Sequence, residues 1–207
     1  MVGLHADKRV KMHNAPACEH NLLDKDPEGL PRTQPWNYCS IVGSLSYLQA
    51  MIWPDPTFSV QQCARFCNNP SKQHEEAVKR ICQYLLRTKE QGLVLRPDSS
   101  HGLECFVYAD WAGSWQHCSS DDPFSVHSRS GYVIMYAGCP IVWASKMQSL
   151  VALSTTEAKY IALLSLLRKV IHIINPLNKL KGKGSTWAML LRLWSVGCLK
   201  IIKFVLK

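Results

Sequence analysis

Short pairs of cysteine and histidine are the first residues in this sequence whose types could hold a metal ion. The pairs are Cys18 with His20, Cys63 with Cys67, and His117 with Cys118. A zinc finger needs two such pairs at a characteristic spacing, and none of these has a matching second pair. Buried or incidental thiols are therefore the interpretation we favour, and we predict no metal site here.

The cysteines also bear on the compartment in which the protein folds. There are nine of them, an odd number, and their spacing shows no paired framework. Residues 1–11 are rich in charge and histidine, unlike the apolar core of a signal peptide. We therefore predict free thiols and an intracellular location, cytoplasmic or nuclear.

Three basic side chains, Lys79, Arg80 and Arg87, lie near or beside the apolar stripe of a predicted helix. Such a set can contact nucleic-acid phosphates, or it can be an ordinary solvated helix face. From sequence alone we favour the solvated face. These residues are our candidate nucleic-acid contacts, with that alternative kept open.

Charge is divided unevenly along the chain. Residues 1–157 hold 14 Lys and Arg and all 15 Asp and Glu, whereas residues 158–207 hold 10 Lys and Arg and no acid. The net charge of +9 therefore belongs to the last quarter of the sequence. A soluble domain usually mixes both signs over its surface, so this segment differs in kind from what precedes it.

The elements that must position these residues follow from the spacing of apolar side chains. Helices are predicted over 38–51, over 58–67, and from a Ser71 cap to a stop before Gly92. Strands are predicted over 103–111, 131–137 and 141–146, and a further helix runs from near Ser154 past Leu167. Three strands followed by a helix predict an α+β or α/β sheet domain.

The start of that last helix carries a capping signature. Ser154-Thr155-Thr156-Glu157 fits a capping box, in which Ser154 is the cap and Glu157 reaches back to the Ser154 amide. A carboxylate at this position can also serve in catalysis. We favour the capping role.

The final segment, Ser185 to Lys207, is apolar but is interrupted by Arg192, Lys200 and Lys203. A charged side chain is costly at the centre of a bilayer, so we predict no membrane span. We expect an irregular basic-apolar tail. It either covers the open edge of a three-stranded sheet or leaves that edge exposed.

Several stretches resemble the Pol polyprotein of copia-type retrotransposons. They are WNYCSIVGSLSYL, IWPDPTFSV, CARFCNNPSKQHEEAVKRICQYLLRTKEQGLVLRPD, YADWAGSW, SRSGYVIMYAGCPIVWASKMQ and ALSTTEAKYIAL. Together they cover roughly residues 16–174 in one colinear order. Departures occur at Cys39 and Trp53, where the family usually has arginine.

The resemblance implies four regions along the chain. These are an irregular lead-in (1–36), the helical thumb and connection at the end of reverse transcriptase (37–97), a partial ribonuclease H-like domain (98–175) and a divergent tail (176–207). The metal-binding aspartates of the polymerase lie upstream in the family, so this piece is not expected to polymerise. A ribonuclease H would cut the RNA strand of an RNA–DNA hybrid.

The resemblance also shows which metal-binding positions have changed. Ribonuclease H uses two Mg²⁺ ions held by several converging carboxylates. In this sequence Tyr108 and Lys159 stand where the family has its first aspartate and its glutamate. Asp110 and Glu157 remain two residues away from those positions, and the two later aspartates of the family have no counterpart after Glu157.

We therefore expect a degenerate Pol remnant without catalytic activity, without a bound cofactor and without a small-molecule substrate. One alternative is a residual hybrid-cutting ribonuclease H that uses Asp110 and Glu157. Another is a non-catalytic fragment that binds an RNA–DNA hybrid or duplex weakly. Association with a membrane is the least favoured possibility.

Overall fold

The computed structural model of the 207-residue chain describes residues 13–17, 23–113, 115, 124–181, 187–195 and 198–206, with side chains described as far as residue 179. The chain divides into two compact units. Unit 1 is Met1–Leu93 and unit 2 is Val94–Lys207. The described parts of the lead-in, 13–17 and 23–36, contain no helix or strand.

Three helices build unit 1: α1 (Tyr38–Met51), α2 (Thr57–Ala64) and α3 (Lys72–Thr88). Asn37 caps α1, since its side-chain oxygen accepts a hydrogen bond of 3.0 Å from the Ser40 amide. All three predicted helices are confirmed, although α2 ends three residues early. Its last turn tightens because the Arg65 and Phe66 amides bond to carbonyls three residues back.

The core of unit 1 forms where the apolar stripes of the three helices meet. Its buried members are Tyr38, Val42, Leu45, Val60, Cys63, Val78 and Ile81. The Tyr38 hydroxyl donates a hydrogen bond of 2.9 Å to the Cys63 carbonyl, so its polar end is satisfied inside the core. Burial, more than any other cause, raises the pKa of Tyr38 and keeps this hydroxyl neutral.

A buried histidine completes the start of α3. Ser71 is the N-cap, as predicted, and its amide donates to His74 Nδ1 at 2.9 Å. The opposite ring nitrogen therefore carries the hydrogen and donates to the Asp24 carbonyl at 3.0 Å. The ring is fully buried and stacks on Phe66 at 4.1 Å between centroids. Desolvation lowers the pKa of His74, so the imidazole is neutral.

The neighbouring Glu75 is a buried carboxylate, with 1% of its surface exposed. It accepts hydrogen bonds from the Thr33 amide at 2.9 Å and the Gln34 amide at 3.2 Å, and it forms an ion pair with Lys79. Burial opposes its ionisation, but these hydrogen bonds outweigh burial and lower the pKa of Glu75 to about 2. The carboxylate therefore anchors the lead-in to α3.

Unit 2 is an α+β structure built on one sheet. Its elements are β1 (Leu103–Asp110), β2 (Arg129–Tyr136), β3 (Cys139–Met147), α4 (Thr155–Lys181), β4 (Trp187–Ser195) and β5 (Cys198–Leu206). The strand order is β3-β2-β1-β4-β5. The first three strands pair antiparallel, which confirms the three predicted strands and the α+β class.

The prediction of an irregular tail was wrong. Its residues form β4, which pairs parallel with β1 from Leu103 to Tyr108, and β5, which pairs antiparallel with β4. The unpaired amide and carbonyl groups of β1 are the hydrogen-bonding partners of β4. Because β1 is distant from β4 in sequence, the local residue pattern of the tail does not predict this pairing. Of the two alternatives for the sheet edge, the covered edge is the one observed.

Helix α4 packs on one face of the sheet. Every fourth residue from Ala158 is buried, and Ala162, Leu166, Val170 and Ile174 join Leu103, Cys105, Val107 and Ile134 in the second core. By length and composition the segment Thr155–Lys179 is also apolar enough to cross a membrane. The buried stripe at helical spacing is what a core helix requires, so we interpret α4 as the packing partner of the sheet.

Candidate functional site

The two polar positions at the end of β1 lie on the sheet face that α4 does not cover. Leu103, Cys105 and Val107 point into the core with α4, so the alternation of a strand places Tyr108 and Asp110 on the other face. Tyr108 is 39% exposed. Burial, followed by the charge of Asp110, raises the pKa of Tyr108, so the phenol is neutral and provides no anionic oxygen.

Asp110 is held over the turn that follows β1. Ala112 takes a left-handed backbone conformation with φ of 47°. A Cβ atom added at Gly113 would lie 1.8 Å from an Asp110 carboxylate oxygen. The Asp110 carboxylate therefore lies against Gly113, and a side chain added there would have to displace it.

Two hydrogen bonds tie this turn to other parts of unit 2. The Trp111 indole donates to the Ala152 carbonyl at 2.9 Å, and the Ala112 amide donates to the Ser128 hydroxyl at 3.3 Å. Ala152 lies in the loop that leads into α4. The segments that carry Asp110 and Glu157 are thus joined through Trp111 at one end of the sheet.

Glu157 caps α4. Its amide donates to the Ser154 hydroxyl at 3.1 Å, as a capping box requires, and its carboxylate accepts from the Leu153 amide at 2.7 Å. The capping role is confirmed, but the predicted amide partner was wrong, because the carboxylate reaches Leu153, one residue before the cap. The Glu157 side chain is exposed, and its carboxylate is engaged in the hydrogen bond that caps α4.

Lys159 follows Ala158, whose carbonyl accepts a hydrogen bond of 2.9 Å from the Gln148 side chain. Lys159 is partly buried. Among the described side chains, no hydrogen bond or ion pair links Lys159 or Glu157 to Tyr108 or Asp110. The structure brings their segments to one end of the sheet without assembling the four side chains into a ligand set.

The described residues contain no group of three or more His, Cys, Asp or Glu side chains able to hold a metal ion. Cys63 and Cys67 are free thiols in unit 1. Desolvation is the main cause that raises the pKa of Cys63 to about 12 and that of Cys67 to about 11. The other two sequence-predicted pairs, Cys18 with His20 and His117 with Cys118, lie outside the described residues.

A buried polar cluster beside this site escaped the sequence analysis. Gln148 is 6% exposed, its amide nitrogen donates to the Ser130 hydroxyl at 2.9 Å, and its backbone amide donates to the Ser128 carbonyl at 2.8 Å. It therefore links β2, the end of β3 and α4. Serines and a glutamine scattered over twenty residues form no motif, so no sequence signal identified them.

The three basic residues of α3 differ in their surroundings. Lys79 is paired with Glu75, and Arg80 donates through Nε to the Ala15 carbonyl at 3.3 Å. Arg87 is exposed near the end of the helix. Two of the three are thus engaged within unit 1, and their role as nucleic-acid contacts stays a prediction.

Comparison with known proteins relates this α+β chain to transposon proteins. It is 37% identical over 132 residues to the retrovirus-related Pol polyprotein from transposon RE1 of Arabidopsis thaliana, and 42% identical over 125 residues to that from transposon TNT 1-94 of Nicotiana tabacum. These alignments cover 64% and 60% of the chain but only 8% and 9% of the relatives.

A third relative is covered by the alignment over almost its whole length. The chain is 33% identical over 145 residues to secreted RxLR effector protein 161 of Plasmopara viticola, covering 70% of the chain and 96% of that protein. No family model and no solved structure matches the chain. The chain is therefore homologous to a part of retrotransposon Pol polyproteins. It spans under a tenth of the length of the full Pol relatives.

Proposed function

We propose that unit 1 derives from the end of a copia-type reverse transcriptase and unit 2 from the ribonuclease H that follows it. The quoted motifs of the reverse transcriptase block fall on α1, α2 and α3, and those of the ribonuclease H opening fall on β1, β2, β3 and α4. The parallel pairing of β4 with β1 supports the second assignment, because a ribonuclease H sheet continues after its first helix.

We propose further that the chain does not catalyse hydrolysis. The observation that carries this proposal is the pair Tyr108 and Lys159 at the two aligned metal-binding positions. A neutral phenol does not replace a carboxylate, and an ammonium group repels Mg²⁺. Residues 158–207 add no acidic side chain to compensate.

The two remaining carboxylates are unsuited to take over. Asp110 lies two residues beyond Tyr108, a shift of about 6.6 Å along a strand, and its carboxylate is packed over Gly113. The Glu157 carboxylate accepts a hydrogen bond from the Leu153 amide at the start of α4. Recruiting Asp110 as a metal ligand requires its carboxylate to move away from Gly113, and recruiting Glu157 requires it to give up the hydrogen bond from the Leu153 amide.

Incubation of the full chain with an RNA–DNA hybrid and Mg²⁺ tests the proposal. We expect the wild type to cleave no faster than Asp110→Ala, which removes the carboxylate two residues beyond the aligned strand position. Mg²⁺-dependent cleavage by the wild type that is lost in Asp110→Ala would contradict the proposal and establish the residual ribonuclease.

A double variant, Tyr108→Asp with Lys159→Glu, tests whether the side chains at the two aligned positions are what prevents Mg²⁺ binding. Calorimetric titration with Mg²⁺ should show tighter binding to this variant than to the wild type. The matched control makes the same two changes at exposed positions of α4, with Tyr160→Asp and Lys169→Glu, and should leave Mg²⁺ binding unchanged. Equal binding to both variants would show that the aligned positions do not converge on a metal site.

A second candidate function is binding of a nucleic-acid duplex without cleavage. The observation that favours it is the set of exposed basic residues on α4, Arg168, Lys169 and Lys179, within a stretch that has no acidic residue. Phosphate contacts make binding strongly dependent on salt. A titration of hybrid binding against salt concentration distinguishes this function from an inert fragment, which would show no binding at low salt.

A further inference from the structure

The described part of unit 1 brings four thiols close together. Cys63 is a buried member of the core, and Cys67 and Cys82 pack against that core. Cys39 is the second residue of α1, and Cys67 lies in the turn between α2 and α3. All four are free thiols, and no function proposed above uses them.

Two of these thiols, Cys39 and Cys67, are in direct contact. The Cys39 thiol donates a hydrogen bond to the Cys67 carbonyl oxygen, with 3.1 Å between sulfur and oxygen. That oxygen is two bonds from the Cys67 Cα, so the Cys39 sulfur lies within about 6 Å of this Cα. Burial, followed by a hydrogen bond with the Cys39 thiol, raises the pKa of Cys67 to about 11. The residues are 28 positions apart in sequence, so it is the fold that creates this contact.

Exposure distinguishes this pair from the other thiols. Cys39 is exposed and Cys67 is half-buried, so an oxidant in solution reaches the pair. Cys63 is only 1% exposed, and burial raises its pKa to about 12, so its thiol is neutral and shielded. Oxidation of a thiol requires access and proceeds through the thiolate. Of the four thiols, Cys39 is therefore the one that an oxidant attacks first.

We propose that Cys39 and Cys67 form a reversible disulfide when the chain is exposed to hydrogen peroxide. The Cys39 sulfur attacks one peroxide oxygen, the O–O bond breaks, and a sulfenic acid and water form. The Cys67 sulfur then attacks the Cys39 sulfur, the S–O bond breaks, and the hydroxyl group leaves with the Cys67 proton as water. Two thiols and one peroxide thus give one disulfide and two waters, and the two electrons that the sulfurs lose reduce the peroxide.

The bond links the start of α1 to the turn that precedes α3. Cys67 lies outside the helices, so its backbone is free of a helical hydrogen-bond ladder as the sulfurs approach to about 2.05 Å. The closed loop contains the rest of α1 and all of α2. Closing a loop restricts the unfolded chain and so favours the folded one. Oxidation therefore stabilises unit 1, and a dithiol reductant reverses the effect.

Peptide mapping of the full chain by mass spectrometry, without reduction, tests the proposal. The chain is treated with hydrogen peroxide, remaining thiols are alkylated, and trypsin with chymotrypsin places each of the four thiols on a separate peptide. We expect the main linked pair to join the peptides of Cys39 and Cys67, and dithiothreitol to release them. A main link from Cys39 to a different cysteine would overturn the proposal. So would sulfinic acid at Cys39 without any linked pair.

Variants and unfolding show whether the fold directs the reaction. Cys39→Ser and Cys67→Ser should each abolish the linked pair. Cys82→Ser makes the same change at another half-buried thiol of unit 1 and should form the pair as fast as the wild type. In concentrated urea the bond should form at least about tenfold more slowly, because the sulfurs are no longer held together. Equal rates in the folded and unfolded chain would contradict the proposal.

Hydrogen exchange measures what the bond does to unit 1. Peptides from α1 and α2 should exchange about a hundredfold more slowly in the oxidised than in the reduced chain, whereas peptides from α4 should not change. Cys39→Ser treated with peroxide should exchange like the same variant without peroxide. Unchanged exchange in α1 and α2 once the bond has formed would contradict the proposed stabilisation. A mixture of ¹⁴N-labelled and ¹⁵N-labelled chains should give no mixed linked pair, and mixed pairs would show a bond between copies instead.

Discussion

The buried carboxylate of Glu75 provides the strongest test of how unit 1 is held together. Its pKa falls from an ordinary 4.5 to about 2, which corresponds to about 3 kcal/mol of stability at neutral pH. Burial opposes this effect, and hydrogen bonds from Lys79, Gln34 and Thr33 produce it. We predict that Glu75→Gln, which mimics the protonated group, lowers the free energy of unfolding of unit 1 by this amount at pH 7.

The pH dependence follows from the sign of the shift. The carboxyl group binds its proton less tightly in the folded than in the unfolded protein, so its contribution is complete above pH 4.5. That contribution is lost as the pH falls from 4.5 towards 2. The difference between wild type and Glu75→Gln should therefore be large at pH 7 and close to zero near pH 2.

Hydrogen exchange read by mass spectrometry is the suitable assay, because it reports on α3 separately from unit 2. In the full chain at pH 7, peptides from α3 should exchange about a hundredfold faster in Glu75→Gln than in the wild type. The control is Glu76→Gln, which makes the same change at an exposed neighbour and should have little effect.

Two results would refute this reasoning. One is equal exchange in Glu75→Gln and Glu76→Gln. The other is a difference between wild type and Glu75→Gln that persists unchanged at pH 2.5. A double-mutant cycle with Lys79→Met adds a check on the cause: the lysine substitution should cost stability in the wild type and much less in the Glu75→Gln background.

Three further predictions concern other sites. Because the pKa of His74 is lowered by burial, unit 1 should lose stability as the pH falls below about 6.5, and His74→Gln should flatten that loss in exchange measurements made between pH 7 and pH 5. Gly113→Ala should destabilise unit 2 by about 1 kcal/mol in urea titrations, and this cost should vanish in an Asp110→Ala background, where the colliding carboxylate is absent. If the chain binds a hybrid through α4, Arg168→Gln with Lys169→Gln should reduce the slope of log affinity against log salt by about 1.8, and an unchanged slope would exclude these contacts.

The elements predicted best from sequence were those whose signal is local. The stripe of α3 from Val78 to Ile81 and the Ser71 cap are contained in one stretch of chain, and the structure has both. The capping role of Glu157 was predicted for the same reason. Its partner was off by one residue, because which amide donates to the Glu157 carboxylate depends on how the preceding loop bends.

Features that depend on contacts between residues distant in sequence could not be predicted from the sequence. The tail was predicted to be irregular, yet β4 pairs with β1, and only the fold supplies that edge. Lys79 and Arg80 were considered as surface charges because the pattern cannot show that Glu75 is buried beside them or that the Ala15 carbonyl is within reach. Gln148 gave no signal either, since its hydrogen bonds to Ser130 and Ala158 exist only once β2, β3 and α4 are packed together.

The parallel pairing of β1 with β4 has a consequence for how unit 2 forms. Leu103 pairs with Met189, which lies 86 residues further along the chain. During synthesis β1, β2, β3 and α4 all leave the ribosome before that partner, so one side of β1 must wait in an unpaired state. Contacts between such distant residues slow folding, and an unsatisfied strand meanwhile invites pairing with another chain. Unit 1, whose helices pack on near neighbours in sequence, has no comparable delay.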